Sequence, residues 1–226
     1  MANLDPKPAL TLPLTLLPSL PPILQVDGLH FSLAQRPLFT DLSLQLPAGV
    51  GWVRGGDGRG KTSLLRLLAG VLAADAGALR LNGVHLHSQP AAYRQQVFWR
   101  DLHNSADLDA ISASAYFATL PAAYPHFNAQ ILARCVHGLS LQPHTEKPLY
   151  MLSTGSKRKV WLAAAFASGA ALTLLDDPFA ALDQPSIRCV QQLLKNAAQS
   201  TNSAMLVAHY DVVANLPLVA LVELGD

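Results

Sequence analysis

A glycine-rich segment at residues 55–62 has the residue types and spacing of a phosphate-binding loop. It reads Gly-Gly-Asp-Gly-Arg-Gly-Lys-Thr and fits the pattern G-x-x-x-x-G-K-S/T in full. Its glycines let backbone N–H groups close around phosphates, and the start of the following helix adds positive potential. We predict that Lys61 reaches the β- and γ-phosphates of a nucleotide and that the Thr62 hydroxyl binds Mg²⁺. The residues expected to contact the nucleotide are Gly55, Gly56, Asp57, Gly58, Arg59, Gly60, Lys61, Thr62 and Ser63.

Two neighbouring aspartates follow an apolar segment further along the chain. Residues 171–175 predict a strand that is buried on both faces, and Asp176 and Asp177 come directly after it. Ligands of parallel α/β sheets bind at the carboxyl ends of the strands. Asp176 is therefore predicted to hold Mg²⁺, and Asp177 to orient or deprotonate the attacking water. An acidic turn without a ligand is the alternative, and the glycine-rich loop upstream argues against it.

A second helix start with the chemistry of an anion site precedes the aspartates. Residues 152–156, here called the signature segment, read Leu-Ser-Thr-Gly-Ser and lead into the basic run Lys-Arg-Lys. A serine and a glycine at a helix N-terminus favour an anion. Because residues 55–62 already take the phosphates of one nucleotide, Ser153 and Gly155 suggest that a nucleotide is shared across a dimer.

The elements that must position these residues alternate between strands and helices. Apolar strands are predicted at 50–53, 171–175 and 204–208, and helices after residue 60, at about 154–168 and at about 184–198. This order indicates a parallel sheet buried on both faces.

The remaining segments predict two additions to that sheet. Alternating strands that begin at Ile23 and at Leu42, and the turn dipeptide Asn82-Gly83, predict an antiparallel β subdomain. Residues from about 91 to 160 lack a period of two and predict a helical subdomain. The predicted fold class is therefore α/β: a P-loop NTPase with a mostly parallel sheet core, an antiparallel β subdomain and a helical insertion.

Composition limits the chain to one main domain and argues against nucleic-acid binding and against a membrane-spanning segment. The chain has 226 residues, which suits one α/β domain at 23–226 after a proline-rich, flexible leader at 1–22. A net charge of +1 with 14% charged residues argues against nucleic acid. The apolar runs are too short to span a membrane. The aromatic residues interpreted as core or interface contacts are Trp52, Trp99 and Trp161.

The order of these motifs resembles the ATP-binding-cassette family from about Ile23 onward. The signature segment is similar to LSGGQ, residues 174–183 (LLDDPFAALD) to LLDEPxxxLD, and His209 in VAHY to the family's switch histidine. The resemblance implies ATP and Mg²⁺ as cofactors and a head-to-tail dimer. In that dimer, Ser153 and Gly155 cap the partner's nucleotide, Asp183 lies at the dimer seam and His209 senses the γ-phosphate.

The same resemblance implies a cellular setting. Such a chain is an ATP-hydrolysing subunit that drives a separate transmembrane permease, as a homodimer or as a heterodimer with a related ATPase. It lies in the cytoplasm, peripheral on the inner face of the cell membrane. The compact chain and its LLDDPFAALD run resemble the small haem-exporter ATPases of cytochrome c maturation, and other small exporter ATPases are equally compatible.

Departures from the family pattern keep a second function open. Asp177 replaces the catalytic glutamate, Ser156 the last glutamine of the signature, and Leu33 the aromatic that stacks on adenine, with Phe31 as a weaker substitute. Near the glutamine that usually contacts Mg²⁺, this chain has Arg100 or Asp101, so no residue is assigned to that role.

These departures motivate an alternative, an ATP-gated dimerisation module with little hydrolysis. A third hypothesis, a small-molecule P-loop kinase, leaves the signature segment and His209 without a role. Asp177→Glu separates the first two, because it should raise hydrolysis strongly if the short side chain is limiting.

Overall fold

The computed structural model describes residues 21–101 and 108–225, so most of the predicted leader lies outside the described residues. Strands and helices alternate through most of the described chain. The strands are β1 (Leu24–Leu33), β2 (Arg36–Leu46), β3 (Gly49–Arg54), β4 (Ala76–Leu81), β5 (Val84–His85), β6 (Val97–Phe98), β7 (Leu172–Asp176), β8 (Ala204–Ala208) and β9 (Ala220–Glu223). The α-helices are α1 (Lys61–Leu68), α2 (Pro90–Arg94), α3 (Ala113–Ala123), α4 (Ala129–Gly138), α5 (Thr154–Ala167) and α6 (Gln184–Ala197).

The five-stranded sheet is parallel and has the order β6-β7-β8-β3-β9. Alternate residues of its strands enter two different cores. Leu172 and Leu174 face one core together with helix α1, whereas Leu175 and Trp52 face the other together with α5. Both faces are covered, which explains why the central strands are apolar without a period of two.

The predicted antiparallel subdomain is a four-stranded sheet with the order β2-β1-β4-β5. Strands β4 and β5 meet at Asn82 and Gly83, whose φ angles of 49° and 79° are those of a type I′ turn. Helix α1 packs between this sheet and the parallel sheet, because Leu64 and Leu68 share one buried cluster with residues of both sheets. The phosphate-binding segment therefore precedes a helix that packs against a sheet on each side.

The region predicted as helical contains one strand of the central sheet. Val97 and Phe98 form β6, which pairs with β7 through the contacts Val97 to Leu172 and Phe98 to Thr173. The boundary at residue 91 was therefore too early, because a buried two-residue strand is too short to show a period. Helices α3, α4 and α5 follow it in the chain. None of the helices in the described part of the chain is long and apolar enough to cross a membrane.

Candidate nucleotide-binding site

The loop at residues 55–60 joins β3 to α1 and requires glycine where its backbone turns. Gly58 and Gly60 have φ angles of 72° and 94°, which side chains with a Cβ rarely adopt. A Cβ at Gly60 would also lie 3.0 Å from the ring of Phe39. Gly60 occupies the N-cap of α1, so the first N–H groups of this helix face the loop. This arrangement is an anion site.

Lys61 places its ammonium group above this loop. Its Nζ donates hydrogen bonds to the carbonyl oxygens of Gly55 at 2.7 Å and Gly56 at 2.8 Å. The two bonds pin a flexible side chain against the loop, with its charge beside the amides that face the anion. A phosphate bound there would meet a positive charge and the helix start together.

Thr62 and Asp176 lie together although they are far apart in the sequence. Thr62 Oγ1 donates a hydrogen bond of 2.6 Å to Asp176 Oδ2. Asp176 ends strand β7, and Thr62 lies in the first turn of α1. A hydroxyl and a carboxylate are oxygen ligands of the kind that Mg²⁺ prefers, so the pair suits the role predicted for it.

Asp177 and His209 are brought together by the backbone of neighbouring strands. The N–H of Asp177 donates to the carbonyl of Ala208 at 2.9 Å, and the N–H of His209 donates to that of Val53 at 3.1 Å. His209 Nε2 then lies 3.5 Å from Asp177 Oδ1. Asp177 has a φ of 43°, a left-handed conformation that aspartate adopts more readily than most residues.

The ring of His209 is oriented from both sides. Its Nδ1 lies 2.9 Å from the carbonyl oxygen and 3.0 Å from the backbone nitrogen of Asp211. The ring of Phe179 packs edge-on against the histidine at 5.1 Å between centroids. The two contacts leave Nε2 on the side of the ring that faces Asp177.

These groups surround a single cleft of about 620 Å³. The predicted site residues that line it are Asp57, Gly58, Gly60, Lys61, Thr62, Ser63, Asp176, Asp177 and His209. Gly55 and Gly56 are absent from the lining, and their carbonyl oxygens accept hydrogen bonds from Lys61. Arg59 also lies outside the lining.

Ser153 and Gly155 are absent from the lining of this cleft among the described residues. Ser153 is the N-cap of α5, where its hydroxyl accepts a hydrogen bond of 3.2 Å from the N–H of Ser156. Its side chain is exposed. The signature segment therefore presents its helix start away from the chain's own phosphate-binding loop.

Comparisons with known proteins agree with this geometry. Residues 39–180 match the model of the ABC transporter family. The chain belongs to the ABC transporter family. It is an ATP-binding subunit of that family and an ATPase.

Individual relatives of this ABC subunit cover most of its length. A cytochrome c biogenesis ATP-binding export protein, CcmA, from Pseudomonas savastanoi pv. phaseolicola (strain 1448A / Race 6) is 33% identical over 198 residues, which are 87% of this chain and 92% of the relative. CcmA from Vibrio vulnificus (strain YJ016) is 25% identical over 90% of this chain and 100% of its own.

Solved structures show the same fold. The structure of an ATP-binding subunit of an ABC transporter superposes with a TM-score of 0.69 at 20% identity, over 83% of this chain and 79% of that one. A dimeric ATP-binding cassette in a post-hydrolysis state with ADP and Pi gives a TM-score of 0.68 at 16% identity, over 83% and 88% of the two chains.

Of the two side chains considered for the adenine face, Leu33 and Phe31, one lines the cleft of this ABC subunit. Leu33 lines the cleft and is 56% exposed, whereas Phe31 is buried and packs against Phe39 at 6.5 Å. Arg36, which pairs with Leu33 across the β1–β2 hairpin, also lines the cleft. The sequence did not point to Arg36, because only the register of the β1–β2 hairpin places this residue beside Leu33.

The junction into the helical insertion contributes three residues to the cleft. Trp99, Arg100 and Asp101 line it, whereas Gln96 lies elsewhere and accepts a hydrogen bond from Asn82. Trp99 packs against the hydrophobic core, as predicted, and its half-buried ring also borders the cleft. Asp101 forms an ion pair with Arg66 of helix α1, which ties the junction to the helix behind the phosphate-binding loop.

Gly155 in the signature segment has no space for a side chain. A Cβ at this position would lie 2.4 Å from the carbonyl oxygen of Ala181, a backbone atom that must shift to make room. We expect Gly155→Ala to lower the free energy of unfolding by about 1–3 kcal/mol. Thermal unfolding beside Thr154→Ala, its exposed neighbour, measures this. Equal melting temperatures for the two variants would contradict the close contact.

Proposed function

We propose that this chain hydrolyses ATP as half of a head-to-tail dimer that drives a membrane permease. One observation carries the proposal. The phosphate-binding loop, Asp176, Asp177 and His209 converge on one cleft, while Ser153 and Gly155 of the same chain do not reach it. A second copy in the opposite orientation would complete each cleft with the helix start of α5.

Each of the described site residues has a separate role in the proposed hydrolysis. The loop amides and Lys61 hold the β- and γ-phosphates. Thr62 and Asp176 would hold Mg²⁺, which supplies charge neutralisation of the phosphates when bound. Asp177 orients the attacking water and receives its proton. His209 would contact the γ-phosphate through Nε2, and the partner's signature serine would bind the same group from the opposite side.

The role of the CcmA relatives supports a proposal for the partner and the cargo of this chain. The CcmA relatives are ATP-binding export proteins of cytochrome c biogenesis. We extend that role to this chain: a peripheral subunit on the cytoplasmic face of the cell membrane, attached to an export permease for haem or another component of cytochrome c maturation.

An ATP-gated module with slow hydrolysis is the second proposal for the same site. The observation behind it is Asp177, a shorter side chain than the glutamate of the family, held in a left-handed backbone conformation with φ of 43°. In that case ATP closes the dimer, and slow turnover sets how long the closed state lasts.

Two helix-capping serines provide a matched test of the shared site. Ser153 caps α5 and Ser112 caps α3 by the same hydrogen bond to a backbone N–H three residues on, at 3.2 Å and 3.1 Å. Either Ser→Ala change removes a cap and costs about 1 kcal/mol of stability. Only Ser153→Ala also removes a hydrogen bond to the partner's phosphate, which is expected to weaken ATP-driven dimerisation by about tenfold or more.

The measurement is size-exclusion chromatography with light scattering in Mg²⁺ and ATP. Both variants are made in an Asp177→Asn background, so that turnover does not dissolve the dimer. A dimer that Ser112→Ala retains and Ser153→Ala loses supports the shared site. A chain that stays monomeric with ATP, or two variants that dimerise equally well, would refute it.

A further inference from the structure

Helix α5 carries a buried arginine that the nucleotide chemistry above does not use. Arg158 lies five residues after Ser153, and only 9% of it is exposed. Its Nη1 donates a hydrogen bond of 2.5 Å to the carbonyl oxygen of Ala180. Its Nε is buried and has no hydrogen-bond partner within the described ranges. A buried donor without an acceptor is uncommon.

The position of Arg158 links two sites that belong to different nucleotides of the proposed dimer. Its helix begins with the signature segment, which serves the partner's ATP. Among the described residues that line the chain's own cleft, Arg158 is the one from α5. Burial lowers the pKa of Arg158, and the negative charges of Asp177 and then Asp176 oppose that shift.

The loop at residues 177–183, here called the aspartate loop, is fastened to α5 at three points. Arg158 holds the carbonyl of Ala180, Gly155 packs against the carbonyl of Ala181, and Lys159 forms a 2.6 Å ion pair with Asp183. The loop begins at Asp177, beside the γ-phosphate position, and ends at Asp183, the N-cap of α6. The loop that follows Asp177 is therefore held against the first two turns of α5.

We propose that Arg158 is a positioning residue that couples ATP occupancy in one cleft to the placement of the signature segment offered to the partner. This rests on the shared-site dimer proposed above. When ATP fills the cleft, the charge balance around Asp176 and Asp177 changes. The guanidinium, whose Nε is free to take a new acceptor, carries that change through Ala180 to the start of α5.

The test is the ATP dependence of turnover in Arg158→Met and Arg158→Lys. With two coupled sites the Hill coefficient of the unmodified chain is expected near 2, and it should fall to about 1 in both variants. Turnover at saturating ATP should fall about tenfold. Lysine keeps the charge but lacks the planar donors. Arg158→Lys should therefore have the melting temperature of the unmodified chain but a Hill coefficient of about 1.

Lys157→Met is the matched control. Lys157 precedes Arg158 on the same helix, forms a 2.7 Å ion pair with Asp109, and does not line the cleft. This variant should keep the Hill coefficient of the unmodified chain. Should Arg158→Met not fold, Arg158→Gln, which keeps one donor group, replaces it.

Each outcome decides between coupling and a merely structural role. Arg158 variants with a lower melting temperature but an unchanged Hill coefficient and turnover would overturn the coupling. A dimer of the unmodified chain that hydrolyses ATP with a Hill coefficient of about 1 would do the same. If the unmodified chain dimerises without turnover, the ATP dependence of dimerisation replaces turnover in the same comparison. Failure of the proposed dimer itself would show in the unmodified chain, before any Arg158 variant is measured.

Discussion

Lys61→Ala is expected to lower Mg²⁺-dependent ATP turnover by about 100- to 1,000-fold, the usual cost of removing one charge that stabilises a transferring phosphate. In the structure, the ammonium group is fixed by the carbonyls of Gly55 and Gly56 at 2.7 and 2.8 Å. It lies at the start of α1, where the positive end of the helix and the loop amides meet. Alanine leaves the loop amides in place but removes the charge that these two carbonyls position.

The assay compares the purified chain with Lys61→Ala over a series of protein concentrations. Turnover per chain that rises with concentration indicates that the active species is a dimer. Lys157→Ala is the control, since it removes a lysine of similar exposure that pairs with Asp109 outside the cleft. Turnover that survives in Lys61→Ala would mean that the activity belongs to a contaminant or that this loop does not hold the reacting phosphate.

Asp177→Glu is expected to raise turnover by about 100-fold, because a shift of about 1 Å in a reacting group has an effect of that size. Asp177 Oδ1 now lies 3.5 Å from His209 Nε2, longer than a good hydrogen bond. The added methylene carries the carboxylate further toward the γ-phosphate position. Asp177→Asn, which keeps the shape but cannot take a proton, should lower turnover by about 100-fold or more.

The measurement is turnover at saturating ATP, and a control variant shows whether a change near the cleft has a general effect on this rate. Asp211→Glu is the matched control: it makes the same one-methylene change on an exposed residue near His209 whose side chain does not line the cleft. An unchanged or lower rate in Asp177→Glu would contradict the prediction. It would show that aspartate, in its left-handed backbone conformation, already reaches the water and that slow hydrolysis has no basis here.

Much of the fold was predictable because its signals are local. Strand β8 occupies the predicted residues 204–208, and Asn82-Gly83 forms the predicted hairpin turn. A long apolar run or a turn dipeptide depends on neighbours in the sequence. Strand β6 was missed for the opposite reason: Val97 and Phe98 are a strand only because β7 pairs with them.

The chemistry of the site also follows from contiguous residues. Glycine spacing, Lys61 and Thr62 specify a phosphate loop, and a buried parallel strand delivers Asp176 and Asp177 to the edge of the sheet where ligands bind. His209 follows the neighbouring strand, so it arrives at the same edge. Residue types and spacing are thus sufficient for the class of ligand and the family, because each motif carries its own local geometry.

Packing between distant segments determined the rest. In the sequence, Arg158 is the middle residue of a basic run of three, which is typical of a solvated helix face, yet it is buried against the aspartate loop while Lys157 and Lys159 pair with acidic partners. Arg36 and Trp99 likewise reach the cleft only through the folding of a hairpin and the pairing of β6. Burial of a charge depends on which surfaces meet, and that information is spread over the whole chain rather than held in any one motif.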